Sequence, residues 1–316
     1  MKEEVTKKTL SRGEVTDFVI YSRKFKGYKW YKPILEIILA GIIWIIGTAI
    51  CIGIATFITV LSGDDSKAFL DTIRGGYDTF NTYSVPGVLY SLASVACLIP
   101  GVAFATKVLK TRPFHTVASS CGGFSFRIFF KVIIPALIII GIPVAIVTII
   151  SAGEKEAVSF TAMGFIACLI FAPLQSAGEE FMFRGLFLQG IGSWTKKSIA
   201  AVIIQAVFFA ILHGYNIFGV IEIFISGLLM GLMAYYTKGI EASCASHIVN
   251  NIVLFMLAGF GFNTISSNGT DFLTVILVAI IDSAYLACII FMDKKYNWFT
   301  RTPKETDILN EKEMVA

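Results

Sequence analysis

Two adjacent carboxylates, Glu179 and Glu180, open the part of this sequence whose residue types and spacing suit chemistry. Arg184 follows four residues after Glu180, and His213, His247 and Asn251 stand further along. On a helix, neighbours are turned by about 100°, so the two carboxylates point different ways. Glu180 and Arg184 share a face in the favourable acid-before-base order. One carboxylate is thereby neutralised by a guanidinium, and the other projects without a local cation. Phe209 shares a face with His213, and His247 with Asn251, since each pair is four residues apart.

A glutamate and a histidine can hold one water between them, the glutamate taking its proton as a general base does in hydrolysis. A second histidine and an asparagine amide supply donors to a developing oxyanion. Ser243, Cys244 and Ser246 border His247 but lack a paired base, so the set points to attack by water rather than to a covalent intermediate. Glu179, His213 and His247 are equally donor types that hold zinc or another divalent metal, which would activate water directly. HExxH is absent, which excludes a zincin-type site. The competing reading is structural, with an ion pair at a helix end and two packed histidines.

These side chains must be positioned by membrane helices. Of 316 residues, 56% are hydrophobic and 15% charged, with a mean hydropathy of +0.76. Ordinary soluble domains carry about 25% charge. Eight apolar runs are legible, at 34–61, 85–105, 130–151, 158–177 or beyond, 198–212, 217–236, 240–260 and 272–292. Backbone amides cannot stay unpaired in lipid, so each run is expected to be a helix. The expectation is an all-α, polytopic membrane protein of about eight spans. Its organisation is an amino-terminal interfacial segment (1–33), spans one to three (34–157), a catalytic core (158–260), span eight with its preceding loop (261–292) and a tail (293–316). With that arrangement 23 of the 26 lysines and arginines fall on one side, leaving Lys67, Arg74 and Lys155 on the other. Cationic loops stay in the cytoplasm, so both termini are expected there, with the cell membrane as location.

Tyr21, Phe25, Tyr28, Trp30 and Tyr31 interleave with basic residues before the first span. The pattern reads as an anchor at headgroup depth rather than a nucleic-acid surface. Within the spans, Glu36 can snorkel to the interface, while Glu222 and Asp282 are expected to pair across the bundle. His115, in a basic loop, is expected to be solvated. Gly227 and Gly231 form a small-xxx-small pair for close helix approach. None of the six cysteines forms a CxxC pair, and Asn268-Gly-Thr270 matches a glycosylation acceptor. Depth is the difficulty. Glu179 lies about 32 Å along its helix from Val158 and so near the cytoplasmic face, whereas His247 lies about 10 Å inside that face from Ile240 and His213 about 22 Å from Ser198. A shared water then requires tilt, a later start for span five, or a break at Pro173.

At these residues the sequence resembles the family of CAAX prenyl proteases and bacteriocin-processing enzymes (CPBP, or abortive-infection, family). Its motifs EExxxR, FxxxH and HxxxN appear in order as Glu179-Glu180-xxx-Arg184, Phe209-xxx-His213 and His247-xxx-Asn251. The resemblance covers about residues 158–260. It implies an intramembrane endopeptidase of the type II CAAX protease kind acting on a peptide or protein at the membrane. Glu179 and His213 would then activate water, His247 and Asn251 would hold the oxyanion, and Glu180 and Arg184 match the second glutamate and the arginine. It leaves open a metal-dependent or a purely glutamate-driven reaction, and the substrate, which in the family ranges from prenylated proteins to bacterial peptides. The alternative is a non-catalytic immunity or regulatory protein that binds a membrane peptide or partner. A secondary transporter would need an internal repeat, and the polar residues fall in one half only.

Overall fold

The apolar runs fold as helices because only a helix satisfies every backbone amide within its own segment in lipid. A computed structural model describes residues 17–63, 66–75, 80–152, 155–262 and 271–299. The expected glycosylation acceptor at Asn268 lies outside these residues. In chain order the helices are α1 (Lys32–Ser62), α2 (Ser66–Gly75), α3 (Val85–Leu109), α4 (Phe126–Ser151), α5 (Ala162–Thr195), α6 (Ser198–Ile211), α7 (Ile217–Thr237), α8 (Glu241–Gly259) and α9 (Phe272–Tyr296). Seven are long and apolar enough to cross a membrane. The fifth run, 198–212, forms α6, whose 14 residues span about 21 Å, short of a hydrocarbon core of about 30 Å. Among the described residues the only β feature is a bridge between Ser119 and Gly239. The protein is an all-α, polytopic membrane protein.

Two features of this bundle resolve the depth difficulty. Helix α5 does not end near residue 177. It runs through Pro173 and continues to Thr195, with a π-helical stretch at Phe181–Phe187. Glu179 therefore sits midway along a 34-residue helix, not at its end. Helix α8 also starts deeper than α6. Phe209, about 17 Å along α6, meets His247, about 9 Å along α8, so for near-parallel axes α8 begins about 8 Å closer to the site. The connection between α3 and α4 fills the space beneath it: Ile240 N–H donates to Ala118 O at 2.9 Å, and Ser119 pairs with Gly239.

Packing of α6 on α7 follows the small-residue prediction. A Cβ on Gly227 would sit 3.1 Å from the Phe209 ring, and one on Gly231 3.0 Å from Val202. Of the five aromatics expected at the interface Tyr21 is buried, Phe25 and Tyr28 are half-buried, and Trp30 and Tyr31 are exposed, while Phe18 and Val19 just before them pack against α5 and α6. Glu36 does not snorkel. It is buried, accepts the Thr111 hydroxyl and lies 3.8 Å from Arg112. Asp282 does pair across the bundle, accepting the Ser226 hydroxyl at 2.7 Å. His115 is half-buried on a single turn, His115–Ala118, rather than fully solvated.

Candidate active site

Helices α5 and α8 bring together five of the six predicted site residues. Glu180 and Arg184 form the expected pair, with Nη1 to Oε1 at 2.8 Å and both side chains fully buried. His247 Nδ1 lies 2.9 Å from the same Glu180 oxygen. A carboxylate only accepts, so Nδ1 carries the proton, and the Nε2 side is left to face the site. Nε2 lies 3.6 Å from Oε2 of Glu179, an oxygen that is buried and without a hydrogen-bond partner. The two adjacent carboxylates thus do different things: Glu180 holds Arg184 and His247, and Glu179 keeps one oxygen open toward the imidazole.

The other Glu179 oxygen is fixed by a residue that sequence reasoning did not single out. Gln175, one helical turn earlier, donates from Nε2 to Glu179 Oε1 at 2.6 Å. Its Oε1 accepts from Asn251 Nδ2 at 3.0 Å, and Asn251 Oδ1 accepts from Asn250 Nδ2 at 3.1 Å. The order of these bonds is forced from one end. An ionised Glu179 can only accept, so Gln175 must turn its NH2 toward it and its carbonyl toward Asn251. Asn251 must then present its own NH2 to Gln175, which leaves one of its N–H bonds for another acceptor. The signal was present in the sequence as a polar residue four positions before Glu179 in an apolar run.

His213 is placed differently. It lies just past the end of α6, with Nδ1 2.6 Å from Phe209 O, so that nitrogen donates and Nε2 keeps its lone pair. The Phe209 ring packs against both imidazoles: its centroid is 4.7 Å from the His213 ring and 6.2 Å from that of His247. Arg184 lies over the same ring, with Cζ 4.1 Å from the centroid. Helix α7 closes the cluster through one carbonyl, Gly227 O, toward which Arg184 Nη2 (3.5 Å) and Gln205 Nε2 (3.4 Å) both point. His213 therefore joins the cluster through Phe209 and not by direct contact with Glu179.

As arranged, Glu179, His213 and His247 do not fit a three-ligand metal centre. Among the described residues no group of three or more His, Cys, Asp and Glu side chains is gathered to hold one. The Nδ1 bonds to Glu180 and to the Phe209 carbonyl leave each Nε2 open, so it is the separation of the donors and not their hydrogen bonding that speaks against a shared ion.

All six predicted residues lie within one stretch that matches a known family. Residues 157–253 match the Rce1-like family, type II CAAX prenyl endopeptidase. The Rce1-like segment begins just before α5 and ends within α8, so its limits coincide with the helices that carry the cluster. An uncharacterised protein of Bacillus subtilis, YyaK, is 32% identical over 170 residues, covering 50% of this chain and 56% of that protein. The chain thus spans little more than half the length of this relative.

Proposed function

We propose that the chain is an intramembrane endopeptidase that hydrolyses a peptide bond with water activated by Glu179. The observation that carries this reading is the buried, unpartnered Oε2 of Glu179 facing His247 Nε2 across 3.6 Å. That gap joins an acceptor for a proton to a donor for an oxyanion, as hydrolysis requires. Glu179 Oε2 takes a proton from water as its oxygen attacks the peptide carbonyl. The oxyanion that forms is met by His247 Nε2–H and by the second N–H of Asn251. Glu179 then passes its proton to the leaving amine, which departs as the C–N bond breaks. His213 acts on this step through Phe209, whose ring packs against both imidazoles, as a positioning residue and not as a hydrogen-bond partner of the water.

Charge balance supports an imidazolium at His247. Two buried carboxylates face a single guanidinium, and a buried charge is costly unless paired. With His247 charged the four groups sum to zero, and both of its nitrogens donate. No step runs through a metal, since the donors do not gather as one centre. The substrate is a peptide or protein reached at the membrane, and both termini lie on the cytoplasmic side of the cell membrane, as the basic connections favour.

The test is peptide cleavage by purified protein in micelles. Replacing Glu179 with Gln keeps size and hydrogen bonding but removes the base, and should lower kcat by about 10²-fold or more. Undiminished cleavage would refute the assignment. Absence of cleavage in the unaltered protein, together with intact binding of the same peptide, would instead favour a non-catalytic immunity or regulatory protein.

A further inference from the structure

A second polar feature lies away from the Glu179 cluster, at the membrane boundary. A cavity of about 550 Å³ opens between the amino-terminal segment and the end of α3. Its walls include Lys26, Lys107, Lys110 and Arg112, with Phe25 and Phe114, and among the described residues no acidic side chain lines it. The wall is built rather than incidental. Gly27 seats its backbone against the α3 terminus so closely that a Cβ there would lie 2.7 Å from Thr111 O. Arg112 is buried, gives one nitrogen to Gln189 Oε1 on α5, and lies 3.8 Å from Glu36 on its other side. Glu36 therefore balances Arg112 from behind, and Lys107 and Lys110, both exposed on the rim, are left as excess positive charge. Nor do the carbonyls at the negative end of α3 offset them, because Lys32 Nζ already caps Leu109 O at 3.0 Å.

The position of the cavity says what chemistry fits it. It lies beside the first residue of α1 and the last of α3, where two spanning helices leave the apolar layer. Trp30, 69% exposed and two residues before α1, marks headgroup depth. On the membrane side of the same α3 turns, Phe104 and Val108 are 45% and 50% exposed. A ligand spanning both surfaces has an anionic end and an apolar end. Basic pockets at this level between spanning helices hold phosphate headgroups.

We infer that this cavity binds the phosphate headgroup of an anionic phospholipid, with Lys107 and Lys110 meeting the phosphate and the acyl chains lying along Phe104 and Val108. The site is independent of the proteolytic reading and survives its failure. The experiment is native mass spectrometry of the purified full chain in micelles doped with phosphatidylglycerol or phosphatidylcholine. The unaltered protein should retain phosphatidylglycerol about tenfold better than phosphatidylcholine, since each lysine near a surface adds an appreciable attraction. Lys107→Gln with Lys110→Gln should abolish that preference. Lys294→Gln with Lys295→Gln, exposed lysines at the end of α9, should leave it intact. Both side-chain pairs being exposed or near-exposed, the variants are expected to fold. Equal retention of the two lipids, or equal loss in both variants, would overturn the proposal in favour of diffuse surface charge. Complete displacement by millimolar inorganic phosphate, or by an acidic peptide, would overturn the lipid assignment.

Discussion

Gln175 Nε2 donates to Glu179 Oε1 across one turn of α5, at 2.6 Å, and so fixes which oxygen of Glu179 stays open. The same amide accepts from Asn251, so one side chain ties the proposed base on α5 to the proposed oxyanion donor on α8. Gln175→Leu cuts both ties while keeping an apolar shape. It should lower kcat for peptide cleavage by about tenfold to a hundredfold, with KM little changed, since the loss is in orientation. Gln175→Glu places a second carboxylate beside Glu179 and should raise the pH at which activity appears, because like charges disfavour double ionisation. Kinetics on both variants across pH check this. A uniform loss of folded protein with unchanged kinetics in the remainder would reduce Gln175 to packing.

Glu180 and Arg184 form a buried pair that also holds His247, so the two partners depend on each other more than on water. Arg184→Met leaves Glu180 without its guanidinium partner. Breaking a buried pair from one side costs about 3–5 kcal/mol. The single variant should therefore unfold at distinctly lower temperature, and Arg184→Met combined with Glu180→Gln should recover part of that loss. Thermal unfolding in micelles tests the sign, and additive losses in the double variant would contradict it.

What could be read from the sequence was set by local spacing. The Glu180–Arg184 pair follows from four-residue periodicity, and so does the approach of α6 and α7 at Gly227 and Gly231. The apolar runs counted the spanning helices to within one, because a charged residue in lipid is costly wherever the chain folds. What could not be read was set by contacts distant in sequence. Nothing near Glu241 announces that residues 118–119 fold beneath α8 and raise it, so the depths of His213 and His247 did not agree. Glu36 needed Thr111 and Arg112, some 75 residues away, before it could stay buried. The bond from Gln175 to Asn251 likewise joins residues 76 apart.

The helix that begins at Phe272 offers a prediction on pH. Asp271 caps it, accepting from Thr274 N–H at 2.8 Å, and this bond holds its carboxyl below the ordinary value of 3.8. A lowered acid contributes stability above its unfolded pKa and loses it as pH falls through the folded one. Fraying of the start of α9 should therefore appear only in strongly acidic solution, and Asp271→Asn, which keeps an acceptor, should remove the pH dependence while keeping the cap. Amide exchange at Thr274 as a function of pH measures both.

Phe209 makes the sharpest claim on the site, because it has no chemistry of its own. Its ring touches four partners: Phe183 edge-on at 4.9 Å, Arg184 at 4.1 Å over its face, His213 at 4.7 Å and His247 at 6.2 Å. An aromatic face attracts the guanidinium, and the rigid ring spaces the two imidazoles. Phe209→Leu keeps apolar bulk but loses the face and the spacing, so Arg184 and both histidines gain freedom. Stability should fall by about 1–3 kcal/mol, within the range for losing volume and a cation–π contact in a packed site. Activity should fall by more than that stability loss explains when it is measured on fully folded protein, since a misplacement of about 1 Å costs up to a hundredfold in rate. Phe209→Tyr should retain spacing and face, and with them most of the rate. If Leu and Tyr behave alike, the ring is only filler, and His213 must then reach the site by a route other than the one that runs through Phe209.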